Sequence, residues 1–251
     1  MAACGAARGQ RLTFRFAALR RDWAGFSLGP MLRALALAPL LSLAALPAAS
    51  HPHVFIEAGL DFVLDEAGQL IAVDVTWIYD ELYSLILIED QQLDPDGDGE
   101  LTPEELAILA KQDQDWSADY EGDLYGQSGG ARLELAAPVN FGLDYADGKL
   151  ISSHRRPLAA PVDPAAEVIF KTYDPFFYAA FDVTLPVRVV ATVSGSAVGA
   201  ECRAEVTDAD YEAASAKAQE LIKAAPQDTI EMDFPMVGED FADTVRLLCG
   251  G

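Results

Sequence analysis

Of the chain's 251 residues, 40 are Asp or Glu and 17 are Lys or Arg, a formal net charge of −23. A surface this acidic repels phosphate backbones and anionic lipid headgroups, which excludes nucleic-acid binding and charge-driven membrane adhesion, and it attracts cations. Three cysteines are too few for a disulfide-dense scaffold, so stability must come from a hydrophobic core.

Residues 1–50 read as a leader and signal peptide. An apolar run over 32–46 follows Met31 and contains Arg33, and Ala48-Ala49-Ser50 offers small residues to a signal peptidase. The run is too short, and too broken by Pro39, for a membrane span. Met31 reads as the true start and residues 1–30 as an upstream extension; a long basic n-region is the competing reading. Cleavage after Ser50 leaves 201 residues, enough for one domain over 51–251. Residues 1–50 hold six arginines and one acid, so the net charge of the remainder falls from −23 to −28. An acidic chain with an export signal is expected in the periplasm.

Residues 53–65 alternate, with Val54, Ile56, Ala58, Leu60, Phe62 and Leu64 on one face and His53, Phe55, Glu57, Gly59 and Asp61 on the other. A turn at 66–68 leads to a second alternating run over 69–79, and the two form a hairpin. Pairing Asp65 with Gln69 sets His53 opposite Glu81 and beside Asp80, unless a bulge shifts the register.

A helix over 80–89 then leads into Asp94-Pro95-Asp96-Gly97-Asp98-Gly99-Glu100-Leu101-Thr102-Pro103-Glu104-Glu105. This is the spacing of a calcium-binding EF-hand loop. Asp94, Asp96 and Asp98 supply carboxylates, Gly99 makes the turn and Glu100 offers its carbonyl. Thr102 acts through water, and Glu105 closes the shell with two oxygens. Alternate residues of a tight loop point oxygens inward, as a hard cation taking six to eight oxygens requires. Thr102, Pro103 and Glu105 also form a capping box for a helix over 103–115. A solvated acidic turn is the bland alternative. Asp113, Asp115 and Ser117 begin a similar spacing, but Ala118 replaces the needed glycine, so the loop stands alone.

Downstream, 126–130 reads as a loop. Strands are expected over 131–136, 138–146 and 149–156, with Asp147-Gly148 as a hairpin turn. Further strands fall at 165–173, 185–193 and 198–207, a helix at 208–224, and a return to the sheet over 245–249. The class is α+β: a β-rich antiparallel sheet domain with an inserted EF-hand-like helix-loop-helix at about 80–116 and a C-terminal helix. The aromatics Trp77, Tyr79, Phe176, Phe177 and Tyr178 read as core, with partner contact as the alternative. Cys202 and Cys249, an even pair in an oxidising compartment, are expected to form a disulfide rather than a metal-binding thiol pair.

An amino-terminal His51 offers its α-amine and imidazole to one metal, and His53 adds a third nitrogen. Square-planar copper or nickel chelation through backbone amides is blocked because Pro52 has no N–H. A tetrahedral or open site finished by a carboxylate fits better, with Asp80 and Glu81 the first candidates; His154 either completes a three-histidine set or lies exposed beside Arg155 and Arg156, whose charge disfavours metal. The alternative is two histidines serving only as a polar strand start.

His51-Pro52-His53-Val54-Phe55-Ile56, residues 77–84, the 94–105 loop and Asp174-Pro175 followed by aromatics recur in this order in a proteobacterial family of unknown function, which the chain resembles over most of 51–250. That family is labelled as a periplasmic component of an uncharacterised ABC-type transport system, and its members are encoded beside nickel/cobalt- or zinc-type permeases. The resemblance implies exchange of a transition metal with an inner-membrane permease and points to His51, His53, Asp80 and Glu81. The expected function is therefore metal binding in transition-metal transport, zinc first and nickel or cobalt behind, with calcium at the loop and no catalysis. No Ser/His/Asp set, phosphate-cradling glycine loop or zinc-cysteine spacing is present. A copper enzyme using the amino-terminal histidine, or a calcium-stabilised interaction module, are the alternatives.

Overall fold

A computed structural model describes residues 52–114, 116–117, 120–192, 201–225 and 235–250. Ser50–Gly251 form one compact unit. The described residues form a mixed, largely β structure of two sheets and three α-helices.

The first hairpin follows from alternation. β1 (Val54–Leu64) and β2 (Leu70–Tyr79) pair antiparallel, closed by Gly68 at φ 80°. A bulge at Val63/Leu64 shifts the register by one, so Ile56 lies opposite Tyr79 and the chain reaches Asp80 opposite Phe55. β6 (Lys149–Val162) adds to β2, and β5 (Val139–Ala146) adds to β6 through a tight turn in which Asp147 and Gly148 both take positive φ. On the other edge of β1 lie β8 (Ala179–Asp182) and β9 (Arg188–Ala191), both parallel to it. The antiparallel expectation therefore fails at this edge: after Asp174 the chain returns to the start of β1 and runs alongside it.

The second sheet has the order β10-β11-β7-β3-β4, from Cys202–Thr207, Thr244–Cys249, Val168–Thr172, Leu124–Ser128 and Ala131–Leu133. The expected loop at 126–130 is half strand. Gly126 lies inside β3 because the Phe170 ring covers it, and a Cβ there would sit 2.6 Å from that ring. Cys202 and Cys249 face each other across β10 and β11, Cα atoms 4.1 Å apart, and form the expected disulfide.

The sheets share one core. Leu60, Phe62, Val73 and Val75 of the first meet Val168, Phe170, Val245 and Leu247 of the second, with Phe62 and Phe170 centroids 5.5 Å apart. All are under 2% exposed, and each contributes roughly 1.5–3 kcal/mol by burial.

Between β2 and β3 run α1 (Glu81–Asp90) and α2 (Pro103–Asp113). Asp80 starts α1, its Oδ1 accepting the Tyr83 N–H at 2.9 Å. Buried Ser84 donates to the Asp80 carbonyl and accepts the Leu150 N–H, tying α1 to β6. Ile88, Leu93 and Leu109 pack with Leu150 beneath the helix pair. α3 (Tyr211–Ala224) is capped by Asp210 and packs Ala214 and Ala218 near a 3-10 turn at Gly238–Phe241. Among the described residues no helix is long and apolar enough to cross a membrane.

Candidate functional site

The loop between α1 and α2 is built from its ends. α1 stops with Gln91 as its cap, and Gln92 and Asp94 then both take φ 56°, folding the chain back. Gly97 and Gly99 sit at φ 69° and 81°, where a side chain is strained. Asp94 organises the turn: Oδ1 accepts the Asp98 N–H and Oδ2 the Gly99 N–H, both at 3.0 Å. At the far end Thr102 caps α2. Glu105 Oε2 accepts the Thr102 N–H at 2.8 Å, and Oε1 reaches the Asp94 N–H at 3.3 Å. The last position of the loop thus lies against its first.

One carboxylate oxygen from each of Asp94, Asp96 and Asp98 lies within 4.8 Å of the others, the one such group of three among the described residues. Desolvation is the largest influence on Asp94 and pushes its carboxyl up, but the N–H groups of Gly99 and Asp98 help hold it below the usual range. Asp96 moves the other way, raised by its hydrogen bond to Asp94 and by the charge of Asp98. Glu105 is held low by the Thr102 N–H and hydroxyl. Crowded like charge of this kind is relieved by a divalent cation, and an all-oxygen donor set fits a hard one. Glu100 and Thr102 lie in the same loop, exposed.

The second set of candidates is more dispersed. His51 lies outside the described residues. His53 is exposed, its N–H bonded to the Tyr178 carbonyl at 2.8 Å and its ring 4.8 Å from that of Tyr178. Asp80 already serves two backbone donors: besides capping α1, its Oδ2 accepts the Phe55 N–H at 2.8 Å, stapling helix to strand. Glu81 is exposed on the first turn of α1. Its neighbourhood already holds a cation, Lys149, bonded to Glu57 at 3.0 Å and raised in pKa first by that bond and more weakly by the charges of Glu81 and Asp80. His53, Asp80 and Glu81 form no three-ligand group among the described residues.

His154 lies elsewhere. It pairs with Val75, whose partner on β1 is Leu60, so it points into the core, whereas His53 belongs to the outward face of β1. The structure therefore separates the two histidines, and a three-histidine set including His154 is not formed. Burial, then the charge of Arg156, push the His154 imidazole down to about 4, so it is neutral. Rings of Trp77 and Trp116 stand edge-on to it, each 5.0 Å away.

Residues 36–249 match the family described as protein of unknown function DUF1007. The chain belongs to that family. No curated protein matches it. In this DUF1007 member, sequence reasoning missed two features. One is the core triplet of His154 Nε2, Ser152 Oγ and Trp77 Nε1, buried polar atoms with no hydrogen-bond partner among the described residues. Only the pairing of β2 with β6 brings these together, setting Trp77 opposite Ser152. The other is Asp123, whose carboxylate accepts the Tyr120 hydroxyl at 2.8 Å and which burial raises to about 7. Nothing in its spacing distinguished it from the chain's other acids. Asp174, by contrast, is fully used: its carboxylate accepts the N–H groups of Phe176, Tyr178 and Ala179 and so builds the turn into β8.

Proposed function

We propose that this chain is an exported, periplasmic metal-binding protein. It holds calcium in the 94–105 loop and exchanges a transition metal, zinc before nickel or cobalt, with an inner-membrane permease. The observation carrying the calcium half is the closure of the loop, with Asp94 bonded to the Asp98 and Gly99 N–H groups and Glu105 drawn back onto Asp94. That arrangement is an EF-hand-like insert between two strands, and its lone loop acts as a staple rather than a sensor. Asp94, Asp96, Asp98 and Glu105 supply carboxylate oxygens, Glu100 its carbonyl, and Thr102 a water-mediated contact.

The transition-metal half rests on His51-Pro52-His53 ahead of β1, on the acidic charge, and on the resemblance to permease-associated periplasmic components. Since Asp80 caps α1 and Lys149 answers the nearby acids, the metal is held mainly by the α-amine and the two imidazoles. Calorimetric titration of the calcium-saturated chain starting at His51 should show one zinc per chain. Changing both His51 and His53 to Ala should remove it, and unchanged stoichiometry would refute the assignment.

A second reading is favoured by α1. Leu82, Leu85 and Ile86 share its outer side and are each more than half exposed. This suits a calcium-stapled interaction module, for which chelation of calcium, and not histidine replacement, should abolish partner binding.

A further inference from the structure

A cleft of about 560 Å³ opens where the two sheets part, between β1 and β2 on one side and the start of β3 on the other. Eight of its fifteen lining residues are aromatic. Trp77 and Tyr79 come from β2, Tyr83 from α1, Tyr125 from β3, and Phe176 and Tyr178 from the turn before β8. Phe176 and Tyr178 are about half exposed, so they form a rim rather than part of the packed core.

The charge of the cleft is one-sided. Glu121, Asp123 and Asp174 line it, and among the described residues no Lys, Arg or His does. Two of these acids are already answered. Glu121 pairs with Arg132, and Asp174 accepts three backbone N–H groups. Among the described residues, Asp123 has only the neutral Tyr120 hydroxyl. Its backbone is fixed in place: at φ 46° its carbonyl accepts the Tyr173 N–H at 2.9 Å and the Thr172 hydroxyl at 2.8 Å.

Ring faces carry negative electrostatic potential, and a half-buried carboxylate without a counter-ion adds to it. A small inorganic cation would lose too much hydration to enter such a site. An anion is repelled, and a neutral apolar ligand leaves the carboxylate unanswered. A weakly hydrated organic cation satisfies both rings and carboxylate. We propose that this cleft binds a small organic cation of the trimethylammonium type, its head group against the aromatic rings and the Asp123 carboxylate as counter-ion. Burial raises the Asp123 carboxyl, the Tyr120 hydrogen bond opposes this and the Asp174 charge adds to it; a bound cation pulls it back. The proposal goes beyond the metal reading and does not depend on it.

The chain starting at His51 is titrated at constant ionic strength with choline and, separately, with 3,3-dimethyl-1-butanol, its uncharged isostere, by calorimetry and tryptophan fluorescence. Choline should bind saturably and at least about tenfold more tightly than the alcohol. Asp123→Asn should lose at least that factor, with a thermal melt confirming its fold. Phe176→Ala, a change at the exposed rim, should weaken choline severalfold without affecting folding. Co-sedimentation with phosphatidylcholine vesicles distinguishes a lipid headgroup from a free solute as the source of the cation, and binding in either arm supports the site. Equal affinity for choline and the alcohol, or no binding of choline or vesicles up to about 10 mM ligand, would overturn it.

Discussion

Asp94 has two tasks on one side chain. It holds the turn through two backbone N–H groups and presents carboxylate charge at the first position of the loop. Calcium at a hundred times its dissociation constant should stabilise the wild type by about 2.7 kcal/mol. Scanning calorimetry with and without EDTA should show that increment lost in Asp94→Asn; a variant that keeps it would remove calcium from the loop. His154 makes a separate, pH-dependent contribution. Its imidazole titrates at about 4 when folded and at about 6.5 when unfolded, so between those values acid protonates the unfolded chain first. The stability it contributes is whole above about 6.5 and is lost as the pH falls towards 4. Asp123 acts oppositely. Raised to about 7, its carboxyl favours the folded state at low pH and loses that contribution as the pH rises through 7. In the wild-type profile these two contributions therefore enter with opposite sign. In urea titrations at pH 7 and 4.5, His154→Phe should lose less stability on acidification than wild type, by on the order of 2–3 kcal/mol. Parallel losses would mean that His154 is not buried neutral.

At the scale of elements, local chemistry and tertiary pairing divide the credit. Alternation locates β1 and β2 to within a residue, and Thr102, Pro103 and Glu105 fix the start of α2, because strand faces and helix caps are written in adjacent residues. The parallel pairing of β8 and β9 with β1 depends on where a distant segment returns, and no local pattern records that. Gly126-Gln127-Ser128-Gly129-Gly130 has the composition of a loop, yet its first three residues are strand because Phe170 needs the space above Gly126. The Val63/Leu64 bulge moves the hairpin by one residue and brings Asp80 opposite Phe55, whose N–H its carboxylate accepts. Among the described residues β10 pairs with β11 alone, and its disulfide spans 47 residues of sequence. Replacing Cys202 and Cys249 by Ser should cost about 4 kcal/mol on the loop-entropy model, measured as a shift in the urea midpoint. A loss below about 1 kcal/mol would mean that the second sheet holds its edge without the bridge.

For the whole molecule, the local geometry legible in the sequence was the turn and helix cap contained in twelve consecutive residues. The 94–105 spacing needs no fold to be read, and the structure closes it end to end. Sites assembled across strands were not legible: the register that suggested His53 beside Glu81 was off by one bulge, and His154 faced the opposite side of the sheet. The aromatic cleft needs both sheets, α1 and the turn before β8 before Asp123 acquires its surroundings. The metal reading draws on the strong acidity, the three clustered carboxylates of the 94–105 loop, and a histidine pair ahead of the first strand. Native mass spectrometry of the protein recovered from the cells that make it addresses all of this at once, since it weighs the chain together with any ions it holds. A mass starting at His51 and carrying one calcium and one transition-metal ion is expected. A mature chain that starts elsewhere, or that carries calcium alone after growth in zinc-replete medium, would contradict the metal-exchange role.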